Sequence, residues 1–236
     1  MQLPAGSQGI LTPFQDRALR SLFTIRGAEA FVLFGGTALA EFYAGHRRSD
    51  DLDLFTFDRE AVRPFAQAVE LTLGDRLGAP GPLRQGVGAE YFQQLFVDHP
   101  SEGTLKIDIG LADPPQLDPV AVLDGVRVAG FTDLVAGKAS ALSDRALPRD
   151  GVDLWWIVER GGMPLADVER VMLVKDRGLA DYPQAWPDAL RRTASAPKAA
   201  WDQVVPMLSA DVSIAEVRAF LDRAFEESVS RLAPAP

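Results

Sequence analysis

The chain has 236 residues, 47% of them hydrophobic, enough for one large domain or two small ones around a sizeable core. Its 24 Lys/Arg against 33 Asp/Glu leave a net charge of −9, which argues against a general nucleic-acid binder. With no cysteine and only His46 and His99, disulfides, thiolate sites and multi-histidine metal centres are excluded; no apolar run is long enough for a membrane span, Met1-Gln2-Leu3-Pro4 does not begin a secretory leader, and a cytoplasmic location is expected.

Helical spacing predicts a first helix over Phe14–Arg26, then a short apolar strand, Phe31–Phe34, ending at Gly35-Gly36. Thr37–Tyr43 reads as a helix with Thr37 in the capping position. Asp51–Phe57 alternates as a strand, Glu60–Leu73 is amphipathic and helical, and a loop follows at Gly78-Ala-Pro-Gly-Pro. Strands are predicted over Tyr91–Val97 and Thr104–Leu111, the second with strict alternation. Past Gly125–Gly130 the pattern changes to helices at Phe131–Leu147, Arg149–Arg160, Leu165–Lys175, Ala185–Thr193 and Ile214–Leu232. The expectation is an α/β unit over residues 1–126 and an all-helical unit over 127–236, with a frayed tail at Ala233-Pro-Ala-Pro. One window, Arg170–Lys198, is locally positive, with six basic and three acidic residues.

The stretch from Gly35 to Phe55, GGTALAEFYAGHRRSDDLDLF, concentrates the chemistry. On a strand, Asp51 and Asp53 share one face while Leu52 and Leu54 take the other. Two neighbouring carboxylates repel unless a cation lies between them, and Mg²⁺ suits such a pair; the alternative is a plain solvated strand face. Gly35-Gly36-Thr37, between strand and helix, can bring free backbone N–H groups and a hydroxyl to a phosphate, or can be a tight turn with an N-cap. Arg47, Arg48 and Ser49 can pair with phosphates, or Arg48 can neutralise Asp50. In TLKIDIGL, Leu105, Ile107, Ile109 and Leu111 define one face and set Lys106 and Asp108 on the other. An aspartate within an apolar strand needs a partner. If this strand neighbours Asp51–Phe57, three carboxylates converge, and three can hold two metals.

Together these residues resemble the nucleotidyltransferase superfamily that includes DNA polymerase β. Its pattern is a G-[GS] pair opening a helix, then D-x-D about a dozen residues on, then a third acidic residue on a later strand. Here thirteen residues separate Thr37 from Asp51, Asp53 completes the pair, Asp108 is the third member, and Thr37 stands for the commoner serine. GGTALA…HRRSDDLDLF and the later DLVAGKASALSDRALPRDGVDLWWI are similar to the AbiEii/AbiGii toxin-type nucleotidyltransferases, from about Phe31 to about Val158. The resemblance implies an α+β fold with a mixed sheet and a helical carboxy-terminal domain.

The second motif also has a physical reading. Lys138 and Arg145 fall on or beside the apolar stripe of their helix, where a cation needs a reason to be. Asp150 and Asp153 lie one helical turn apart. Arg145 or Arg149 with Asp153 reads as an ion pair tying two helices, Lys138 as a cation for the nucleotide triphosphate, Trp155 and Trp156 as core, and His46 as a turn residue beside the site.

What the resemblance implies is metal-dependent transfer of a nucleoside monophosphate from an NTP to an acceptor hydroxyl. Gly35, Gly36, Thr37, Arg47, Ser49 and Lys138 would bind nucleotide. Asp51, Asp53 and Asp108 would hold two Mg²⁺ ions, with Mn²⁺ as a substitute, and Asp108 would serve as general base. The implied setting is a type IV-like toxin–antitoxin or phage-defence system, with RNA (the tRNA 3′ end) as acceptor and a cognate antitoxin as partner. A small molecule or protein acceptor, or a non-catalytic nucleotide-binding module, is the alternative.

Overall fold

The structure is a computed structural model and describes residues 6–79 and 81–232; residues 1–5 (with the start Met1-Gln2-Leu3-Pro4), Pro80 and the tail Ala233–Pro236 lie outside the described residues. Helix α1 (Pro13–Leu22) opens with a capping box in which Thr12 Oγ1 accepts the Gln15 N–H at 3.2 Å and Gln15 Oε1 accepts the Thr12 N–H at 3.0 Å. It stops short of the expected Arg26, because turns at Thr24 and Ile25 lead into Gly27 at φ 96°, a left-handed conformation that breaks the helical run.

Strand β1 (Val32–Phe34) passes directly into α2 (Gly35–Leu39), which continues as a π-helical turn, Ala40–Ala44. Next come β2 (Asp51–Thr56), α3 (Arg59–Leu77), β3 (Arg84–Ala89), β4 (Phe92–His99), β5 (Gly103–Leu111), β6 (Ala121–Leu123) and β7 (Val126–Val128). Seven strands form one mixed sheet in the order β3-β4-β5-β2-β1-β7-β6. The β2–β5 and β1–β7 pairs are parallel, and the other four are antiparallel.

The alternation of β2 and β5 decides which face is core. Leu52, Leu54, Leu105, Ile107 and Ile109 are buried, as are Val62, Phe65, Val69 and Leu73 of α3, the helix that packs on β2, β4 and β5. Each such side chain contributes roughly 1.5–3 kcal/mol of burial free energy, so this apolar contact fixes the register that faces the acidic residues the other way. Phe65 stacks on Phe31 with ring centroids 4.2 Å apart. Residues through Phe131 form one compact unit and those from Thr132 form a second.

The second unit comprises nearly all of α4 (Phe131–Arg145), then α5 (Pro148–Trp155) with a π-helical turn at Trp156–Arg160, α6 (Leu165–Lys175), α7 (Ala185–Ala194), α8 (Lys198–Asp202) and α9 (Ile214–Leu232). Helix α5 packs against α7 and α9. Gly151 permits that approach, since a Cβ there would lie 2.9 Å from Thr193 Cγ2 and 3.0 Å from Leu221 Cδ1. Trp155 and Trp156 are buried, as a core role requires. Among the described residues no helix is long and apolar enough to cross a membrane.

Candidate active site

The acidic residues meet through strand register. In the parallel β2–β5 pair, Asp53 lies opposite Asp108 and Asp51 opposite Lys106, so all four side chains stand on one face of the sheet, away from Leu52 and Leu54. Asp51 and Asp53 are half-buried and Asp108 is buried. Lys106 joins them: its Nζ is 2.7 Å from Asp51 Oδ2 and 3.1 Å from Asp108 Oδ2. From the neighbouring strand β4, Gln94 Nε2 donates to Asp108 Oδ1 at 3.0 Å. Burial disfavours the Lys106 ammonium, yet its hydrogen bonds and charge pairing with Asp51, then Asp108, outweigh that cost and raise its pKa above the ordinary lysine value. Lys106 is therefore fully charged at neutral pH.

The glycine pair positions Asp53. Gly35 has φ 70°, and a Cβ at residue 35 would stand 1.7 Å from Asp53 Oδ2 and 2.6 Å from Asp53 Cγ. Only glycine lets the backbone lie against that carboxylate. Thr37 is not in the capping position: α2 already begins at Gly35 and its N-cap is Phe34, which makes no side-chain cap. The Thr37 side chain is 0% exposed and its hydroxyl donates to the Asp51 carbonyl oxygen, tying α2 to the start of β2. The helix begins early because the positive φ of Gly35 turns the chain in one residue, leaving Thr37 inside the first turn.

The loop between α2 and β2 is held from below. Arg47 is buried and donates from Nη1 to the Arg48 carbonyl at 2.8 Å; Ser49 and His46 are also buried. Gln15 of the capping box reaches across to donate from Nε2 to the Ser49 carbonyl at 2.7 Å. Glu41, on the π-helical turn, is buried and accepts the Gly9, Ile10 and Leu11 N–H groups at 3.2, 2.8 and 3.3 Å and the Ser7 hydroxyl. Neither Gln15 nor Glu41 was identified from the sequence. The T-x-x-Q signature before α1 was available for Gln15, whereas Glu41 reads as one more charge on a surface helix.

The helical unit has its own buried charges. Lys138 Nζ lies 2.7 Å from Asp153 Oδ2, with side chains 9% and 0% exposed. Arg145 binds Asp150 in bidentate fashion at 2.8 and 2.7 Å. Ion pairs thus tie α4 to α5 as expected, with Arg145 on Asp150 and Lys138 on Asp153. A third pair, Lys175 with Asp133 at 2.7 Å, joins α6 to the first turn of α4. In the basic window, Arg170, Arg191 and Lys198 pair with Asp167, Asp188 and Asp202 within their own helices, so much of its positive charge is locally neutralised.

Among the described residues no three acidic or histidine side chains are gathered as a ready-made metal cage. The donor set nevertheless fits a hard divalent ion, because three carboxylates share one face and a cationic ammonium already stands between two of them.

A family model described as the nucleotidyl transferase AbiEii toxin of type IV toxin–antitoxin systems matches residues 17–229. An uncharacterized protein of Aquifex aeolicus is 28% identical over 165 residues, 70% of this chain and 75% of that one. Among solved structures, MenT4, a nucleotidyltransferase toxin of Mycobacterium tuberculosis, superposes with a TM-score of 0.60 at 18% identity, covering 92% of this chain and 84% of that one. JHP933 of Helicobacter pylori gives 0.57 at 19% identity, covering 93% and 90%.

Proposed function

The chain belongs to the AbiEii family of type IV toxin–antitoxin nucleotidyltransferases, and on that premise we propose that it transfers a nucleoside monophosphate from an NTP to an acceptor hydroxyl on the polar face of β2 and β5. The carrying observation is the register that sets Asp53 opposite Asp108 with Asp51 on the same face. Family membership brings a nucleotide substrate and a cognate antitoxin; a cytoplasmic setting belongs to the proposal.

Asp51, Asp53 and Asp108 would hold Mg²⁺, or Mn²⁺ in its place, and two such ions would supply Lewis-acid stabilisation of the triphosphate and of the attacking oxygen. Gly35 and Gly36 bring backbone N–H groups to the phosphates at the start of α2. Thr37 supports the site through its bond to the Asp51 carbonyl, and Arg47 and Ser49 shape the loop before β2. In the transfer step the acceptor oxygen bonds to the α-phosphorus, the bond from that phosphorus to the bridging oxygen breaks, and pyrophosphate leaves with the electron pair. Asp108 takes the acceptor's proton, oriented by Gln94.

For the acceptor, the reading is RNA at a 3′ hydroxyl such as that of tRNA. The net charge and the neutralised basic window favour a second reading, a protein or small-molecule hydroxyl, because a polyanion gains little from such a surface. Incubation with labelled NTP, total RNA and total protein separates the two by where label accumulates. Asp51→Ala and Asp53→Ala are expected to reduce transfer by about 10³-fold, roughly 4 kcal/mol of transition-state stabilisation, with unfolding temperature little changed. Full activity in either variant contradicts the assignment.

A further inference from the structure

The charge arrangement on the β2–β5 face contains a cation that the reaction scheme does not use. Lys106 lies opposite Asp51 in the strand register and spans two carboxylates, at 2.7 Å from Asp51 and 3.1 Å from Asp108. These same carboxylates, from two strands, are those that would ligate divalent ions. An ammonium within hydrogen-bond distance of both blocks an oxygen of each from a metal, because a metal ligand must present its lone pair to the ion.

We propose that Lys106 is a resident counter-ion of the acidic cluster: it holds Asp51 and Asp108 together while the site lacks metal, and it must leave their oxygens when a divalent ion enters. The inference rests on the metal-dependent reading of the site. Three carboxylates side by side on two adjacent strands repel one another, and with no internal cation they would be driven apart. The Lys106 ammonium removes that conflict without preventing exchange, since its side chain is 28% exposed and its stem is long and flexible. Gln94, donating to the other oxygen of Asp108, keeps that carboxylate oriented when the ammonium departs. Asp53, opposite Asp108 in the register and backed by Gly35, stands on the same face as the two bridged carboxylates. Metal affinity is then lower than three carboxylates alone would give, and the fold in the absence of metal is correspondingly steadier.

The test is calorimetric titration of the full chain with MnCl₂, without nucleotide, on wild type, Lys106→Met, Lys106→Arg and Asp53→Asn, with unfolding temperatures in EDTA and in Mn²⁺. Lys106→Met should bind Mn²⁺ about tenfold or more tightly, equivalent to roughly 1.4 kcal/mol. It should also unfold at a lower temperature than wild type in EDTA and recover the deficit in Mn²⁺. Lys106→Arg keeps the charge and should stay close to wild type. Equal or weaker Mn²⁺ binding by Lys106→Met overturns the counter-ion role while leaving the metal site standing, provided Asp53→Asn loses binding. Absence of Mn²⁺ binding by wild type and Lys106→Met alike overturns the metal reading and this inference with it.

Discussion

Gly35 is the residue on which the site geometry turns most sharply. Its positive φ and the 1.7 Å that a Cβ would leave to Asp53 Oδ2 mean that even a methyl group must displace the carboxylate. Gly35→Ala is expected to lower transfer on the order of 10²-fold, the scale of a misplaced reacting group, in steady-state assays on protein that still folds. Lys138 poses a different question, because its ammonium is buried on Asp153. Lys138→Met alone removes the cation that faces a buried carboxylate and should cost about 3–5 kcal/mol in chemical denaturation. Adding Asp153→Leu should restore most of that stability but not transfer, which would assign the lysine to the reaction; return of both would reduce it to a helix tie. At this scale the sequence was legible where a residue's neighbours in the chain set its direction. The faces that Asp51, Asp53 and Asp108 take within their own strands follow from alternation, whereas the meeting of those strands, Lys106 on Asp51 and Gln15 on Ser49 depend on strand pairing and loop contacts that no local pattern encodes.

At the level of elements, the apolar face is what aims the acidic one. Phe65 of α3, stacked on Phe31, anchors the helix over β2 and β5. Phe65→Ala should destabilise the chain by about 3–5 kcal/mol in urea or thermal unfolding, while transfer per folded molecule stays within a few-fold of wild type. A large loss of specific activity with little loss of stability would contradict that separation. Alternation reveals β2, β4 and β5 and a run of apolar residues reveals β1, all with apolar residues on a buried face; β3 is exposed along its whole length, and β6 and β7, three residues each, carry no such apolar run. In the helical unit α6 and α9 appear with their expected ends, while α8, five residues long, is too short for a period.

For the whole molecule, family membership and the mixed sheet agree with the architecture implied by GGTALA and DLDLF, and the helical region that shows no further motif lies within the matched span. The charge distribution was less legible: the window from Arg170 to Lys198 looks basic along the chain, but three of its six basic residues pair with Asp167, Asp188 and Asp202 within their own helices. The proposed reaction depends on where divalent ions go when nucleotide is present. Anomalous scattering from crystals grown with Mn²⁺ and a non-hydrolysable NTP measures this directly. The predicted result is manganese bound directly by oxygens of Asp51, Asp53 and Asp108, with the triphosphate against Gly35-Gly36. Ordered nucleotide with manganese elsewhere, or with Lys106 still bridging Asp51 and Asp108 and no metal beside them, would contradict it.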